Sequence, residues 1–173
     1  GGTRWEDEAR GTTLRVRAQR EWNRPIESWE ALLAWGTRQC RRLYFSGGII
    51  ETLRPHPFVP AAAASVRRLL IILDEYLGTL GPDGSRTARG DELYSQYFVG
   101  GNPLFTDEPT TNKNNRIFRR ALTFPHPVAA GEDLFCPFHG KIWTSVFRLH
   151  FSWPPEYGKP IYIVYIGPKI TKD

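Results

Sequence analysis

One stretch constrains this chain more than any other. In residues 147–153, Phe147, Leu149, Phe151 and Trp153 are large and apolar, and Arg148, His150 and Ser152 between them are polar. Successive side chains of a strand point to opposite faces, so this alternation specifies a β-strand with one face in a core. Residues 160–166 follow a turn at Gly158 and Lys159 and read Pro-Ile-Tyr-Ile-Val-Tyr-Ile. A run apolar on both faces predicts a central strand, ended by Gly167 and Pro168. Residues 138–144 supply a preceding strand, joined by a tight connection at Thr144 and Ser145. A two-residue connection there sets Lys141 opposite Arg148 and His139 opposite His150, all on the face away from the core. Tyr162 and Tyr165 fall on opposite faces of the last strand, one in the core and one free to stack on a base.

Upstream the period changes. Trp29, Leu32, Leu33, Cys40 and Leu43 recur at helical spacing after a start signal at Asn23, Arg24 and Pro25, predicting a helix over 26–44. Arg38, Arg41 and Arg42 suit its C-terminal dipole, and Ser46, Gly47 and Gly48 stop it. Residues 54–60 are too proline-rich for regular structure. Val66, Leu69, Leu70, Leu73, Tyr76, Leu77 and Leu80 form one apolar stripe and predict a helix over 61–80, closed by Gly81 and Pro82. Residues 81–115 read as a long loop anchored by Phe98, Leu104 and Phe105. Residues 116–124 alternate weakly and predict a strand, as do residues 12–18. The expected fold is α+β, with N-terminal helices packed on a small C-terminal antiparallel sheet. The expected division is an N-terminal helical extension, 1–57, and an α+β domain, 58–173, carrying the loop 81–115.

The net charge of +5 is unevenly placed. Residues 1–110 hold fourteen Lys and Arg against fourteen Asp and Glu, while residues 111–173 hold nine against four. The basic, aromatic-rich end has the footprint of a nucleic-acid partner. Lys141 opposite Arg148 strengthens that reading, because like charges facing each other on a sheet are destabilising and a phosphate between them removes the repulsion. Two cysteines, Cys40 and Cys136, are too few for a disulfide framework and are expected to be apolar fillers in a reducing compartment. Cys136 and His139 have the spacing of half a zinc site, but no second half accompanies them, so no metal and no cofactor are expected. No apolar run reaches the ~20 residues of a membrane helix, and no charged-then-apolar leader is present, so no membrane partner and a cytoplasmic location are expected. The absence of Met leaves Gly1 as an unnatural start and points to a processed chain or an excised fragment with a tag remnant.

The run His139-Gly-Lys-Ile-Trp-Thr-Ser-Val-Phe-Arg-Leu-His-Phe, then Pro160-Ile-Tyr-Ile-Val-Tyr-Ile-Gly-Pro-Lys, resembles the C-terminal half of RelE/ParE-superfamily toxins. That family shows a strand with a Lys, a strand with an aromatic-Arg-aliphatic core, and a last apolar strand running into Gly-x-Lys/Arg. The likeness covers about 35 of the 173 residues. It implies two helices packed on a small antiparallel sheet, with the helix 61–80 as one of them. It also implies a toxin-like, metal-independent endoribonuclease. Lys141, Arg148 and Lys169 would hold the scissile phosphate and neutralise developing charge. His139 or His150 would be the general acid or base. Lys172 would extend the basic patch, and Tyr165 and Trp143 would contact bases. The implied partners are RNA, including ribosome-bound mRNA, and an antitoxin protein. The chain departs from the family in its longer N-terminal half, in the loop 81–115, and in ending at Asp173 without a terminal Tyr or His.

Two other functions fit parts of the chain. A RelE-like fold also serves as a non-catalytic binding module that docks a protein partner, or inhibits a protein target, within a larger defence or regulatory protein. A metal-dependent nuclease would draw on Asp91, Glu92, Asp107 and Glu108, but carboxylates in a Gly- and Pro-rich loop are expected to be solvating charges.

Overall fold

In the computed structural model, residues 24–142 and 146–171 are described, and their elements follow from local signals first. Helix α1, Trp29–Gln39, is capped by Ser28, whose hydroxyl oxygen accepts the Ala31 N–H. It ends earlier than the helical spacing predicts. The Asp74 carboxylate accepts both the Arg42 backbone N–H and its guanidinium, and the chain turns there into strand β1, Leu43–Phe45. Helix α2, Ile49–Leu53, lies between the glycine stop at 47–48 and the proline-rich segment 54–60. Helix α3, Pro60–Gly78, matches the predicted second helix, with Pro60 in its first turn and its apolar stripe buried.

The stretch read as a long loop is largely built. Helix α4, Ala88–Tyr97, starts at Thr87, whose hydroxyl oxygen accepts the Gly90 N–H. Its Arg89 bonds Glu75 of α3, and its Leu93 is buried. Strand β2, Phe105–Thr106, and helix α5, Thr110–Asn114, follow. The strand expected over 116–124 is instead helix α6, Arg116–Ala121, with only the short strand β3, Thr123–Pro125, after it. The Asn115 side-chain oxygen accepts the N–H groups of Ile117 and Phe118, so a helix cap overrides a weak alternation. Strand β4, Asp133–Phe135, pairs antiparallel with β3.

Strands β5, His139–Lys141, β6, Phe147–Phe151, and β7, Ile161–Pro168, complete a five-stranded sheet in the order β1-β7-β6-β5-β2. Only the β1–β7 pair is parallel. Strand β7 is central, as its two apolar faces predict. One sheet face meets the helices around a continuous core running from Trp29 to Ile166. Within it, Phe98, Phe105, Phe138 and Trp153 stack at 4.6–5.0 Å. Strand β1 belongs to this sheet and Trp29 to this core, so the boundary expected after residue 57 falls inside one packed unit. The expected strand over 12–18 lies outside the described residues. No described helix is long and apolar enough to cross a membrane.

Candidate nucleic-acid interface on the outer sheet face

The register of β5 and β6 is the one that the two-residue connection predicts. His139 pairs with His150, Gly140 with Leu149, and Lys141 with Arg148. At Gly140 an added Cβ would lie 2.8 Å from the tip of the Leu69 side chain of α3 and 3.1 Å from the Phe105 ring. The missing side chain lets Leu69 of α3 and the Phe105 ring approach β5 closely. His139 and Lys141, on either side of Gly140, therefore point outward together.

The next strand corrects one expectation. Between β6 and β7 the register shifts, so that His150 pairs with Tyr165 while Phe151 pairs with Ile163. The extra residue, Val164, is a β-bulge, and it brings Tyr162 and Tyr165 to the same, outer face. Tyr165 stands 5.7 Å from the His150 ring and donates its hydroxyl to the Pro168 carbonyl. Tyr162 stands 4.6 Å from the His126 ring.

This outer face is not open along its length. The β3–β4 hairpin lies against it, with Phe124 at 6.4 Å from His150 and 6.0 Å from Tyr165. His150 is 1 % exposed, and its Nδ1–H donates to the Cys136 carbonyl at 2.8 Å. Burial holds His150 neutral, with its pKa lowered to about 3. His139 is 7 % exposed. Its Nδ1 faces the Pro137 carbonyl at 3.2 Å, which can only accept, so the proton is on Nδ1 and Nε2 accepts from the Thr106 hydroxyl at 3.3 Å. Burial lowers its pKa as well, against the pull of the Glu108 carboxylate.

Glu108, expected from the sequence to be a solvating loop charge, is instead buried. It is 6 % exposed and sits 3.6 Å from His139 Nδ1. Its carboxylate accepts the Thr171 hydroxyl at 3.1 and 3.2 Å and the Asn112 amide at 2.9 Å. Its own N–H donates to the Pro137 carbonyl. One carboxylate thus ties the β2–α5 connection, α5, β5 and the segment after β7 together. The available signal was Pro109 behind it, which sets the start of α5 and turns Glu108 inward. The other acidic residues are also not loose solvating charges: Asp91 pairs with Arg86, Glu92 with Arg89, and Asp107 with Lys113.

At the far end of β5 and β6 the basic residues gather. Lys141 is exposed, and Arg148 is half-buried, donating to the Phe147 carbonyl at 2.8 Å. Burial pulls the Arg148 guanidinium below its ordinary value, and the Glu108 carboxylate opposes this. The Lys169 N–H bonds the Val146 carbonyl, which places Lys169 at the same end of the sheet. Trp143 and Lys172 lie outside the described residues. Cys136 and Cys40 are buried thiols pushed up to about 12. Among the described residues, no group of three or more His, Cys, Asp and Glu is placed to hold a metal ion. The arrangement offers three cations, Lys141, Arg148 and Lys169, against one buried carboxylate, with two buried imidazoles on the same strands. Searches of family models, curated proteins and solved structures find no match to this chain.

Proposed function

We propose that this protein is an RNA-directed, toxin-like domain of the RelE/ParE kind that holds a backbone phosphate between Lys141 and Arg148 at the end of β5 and β6. The observation that carries this reading is the direct cross-strand pairing of those two cations. Such a pair costs stability in an empty sheet and gains from an anion set between the two side chains. Helices α1 and α3, packed on the sheet's other face, support the family likeness. In the catalytic form of this reading, Lys141, Arg148 and Lys169 position the phosphate and neutralise charge as the ribose hydroxyl attacks, without a metal.

Expression in cells of the unaltered chain, Lys141→Ala and Arg148→Ala, with growth and RNA integrity read together, tests it. The expected result is growth arrest and RNA cleavage that both substitutions abolish while folding is kept. Full activity in both variants sinks the reading.

A second reading is favoured by the burial of His139 and His150, the two imidazoles on the strands that carry Lys141 and Arg148. Here the same surface binds without cutting, as a module that docks a protein partner or inhibits a protein target within a larger defence or regulatory protein. A stable protein partner captured by purified protein that shows no nuclease activity selects this version.

A further inference from the structure

The outer sheet face has a second end, away from Lys141 and Arg148. There β7, the β3–β4 hairpin and the connection from β6 to β7 enclose a cavity of about 370 Å³. His126, Ser152, Trp153, Lys159 and Tyr162 line it.

The protonation of His126 follows from its neighbours. Its Nδ1 accepts the N–H groups of Val128 at 3.1 Å and Ala129 at 2.9 Å, so Nδ1 carries the lone pair and the ring proton is on Nε2. Bracing that turn needs only Nδ1. Among the described residues no hydrogen bond engages the Nε2–H, and none engages the Tyr162 hydroxyl. The Ser152 oxygen accepts the Tyr162 N–H at 2.9 Å, which leaves the serine O–H to donate. Lys159 adds an ammonium, and the Glu156 carboxylate, which lines the cavity as well, is held by it at 2.6 Å. The His126 and Tyr162 rings meet edge to face at 62°. The cavity therefore sets the His126 and Tyr162 rings, Leu134 and prolines beside donors from His126, Ser152 and Lys159, with its one lining carboxylate already paired, at the small end of the ~300–1,000 Å³ range of ligand sites. Its complement is a single planar ring with acceptor atoms on its edge.

We propose that this cavity binds one nucleobase of single-stranded RNA, packed on Tyr162 and accepting the His126 Nε2–H. The proposal rests on the RNA reading above and adds a base site to its phosphate site. Ser152 is four positions beyond Arg148, about 13 Å at ~3.3 Å per residue, and the β3–β4 hairpin lies over the face between them, so an oligonucleotide that reaches both ends passes over that hairpin. Base contacts and phosphate contacts then divide: the His126–Tyr162 end grips a ring, and the Lys141–Arg148 end grips charge.

Uridine, which has no phosphate, separates the two. Titrated into the whole chain, it is expected to shift the His126 and Tyr162 ring signals saturably in NMR spectra. Tyr162→Leu should abolish the effect. His126→Asn, which keeps an acceptor for the Val128 and Ala129 N–H groups but lacks the outer donor, should weaken it about tenfold. Both variants should also weaken oligouridylate binding about tenfold with an unchanged salt slope, because no phosphate contact is lost. Ring signals that uridine leaves unmoved, with oligouridylate bound equally by both variants and the unaltered chain, overturn the base site. If uridine shifts the signals while Lys141→Ala and Arg148→Ala leave oligouridylate binding intact, the base site stands and the phosphate reading fails.

Discussion

From Leu149 to Phe151 the two sides of β6 are both sealed from water, by different means. On the core side, Leu149 and Phe151 are enclosed by apolar groups, with Phe151 edge-on to Phe105 at 5.6 Å and to Phe138 at 5.7 Å. On the outer side, His150 is enclosed as completely by Phe124, Tyr165 and a hydrogen bond to Cys136. The core side is stabilised by removing apolar area from water, which is indifferent to pH. The outer side tolerates burial only because its polar groups have partners, and that depends on which protons are bound. An alternating strand thus specifies the chemistry of each face and leaves exposure to whatever packs on it.

The comparison can be broken from either side. Leu149→Ala should cost the most, roughly 3 to 5 kcal/mol in urea unfolding, since α3 and the sheet cannot close on the cavity. A loss under about 1 kcal/mol would mean the core side is loosely packed. Acid should act on the outer side alone. His150 has its folded pKa lowered to about 3, against a usual value of 6.5, so its contribution is complete above about pH 6.5 and is lost as pH falls toward 3. His139 shifts in the same direction. Unfolding free energy should drop by about 3 kcal/mol between pH 6.5 and roughly pH 4, and His150→Asn should flatten that slope. A slope unchanged in His150→Asn removes this histidine as the cause.

Glu108→Ala should cost about 2 kcal/mol by stranding the Thr171 hydroxyl, the Asn112 amide and the His139 ring, and Glu108→Gln less. Faster amide exchange around Thr171 in the alanine variant would localise the loss; equal exchange would show that the carboxylate does not hold this segment. Smallest is Lys141→Ala, expected to leave stability within about 0.5 kcal/mol or raise it slightly, since it relieves Arg148 of a like charge. On the proposed RNA reading its effect falls on binding, where RNA affinity should drop about tenfold with a shallower salt slope. A stability loss above about 1 kcal/mol would instead make the Lys141 stem a packing element.

Much of the sheet was legible because its signals are local. The alternation in 147–153, the two-sided apolar run of β7 and the tight connection before β6 sufficed for the register of Lys141 with Arg148. Helix α3 was equally plain from its stripe. The failures share a cause. Strand β1 was read as helix because its pairing partner, β7, lies at the other end of the chain, while helical spacing is visible at once. Helix α4 was read as loop because its stability comes from Leu93 on the core and Arg89 on Glu75, not from a strong apolar stripe. Glu108 was read as a surface charge because a carboxylate's burial is decided by the donors that other segments bring to it.

The sequence by itself determined that an alternating strand would carry Arg148 and His150 on one face and Leu149 on the other, since period two is a property of the backbone. It also determined that Gly140 would stand between His139 and Lys141. Only the tertiary structure decided that His150 is enclosed while Lys141 stays in water. Only there does a bulge at Val164 turn Tyr162 and Tyr165 to one side, and only there does Glu108 join four segments. Exposure, register shifts and shared hydrogen bonds are properties of what meets a strand, and those contacts come from distant parts of the chain.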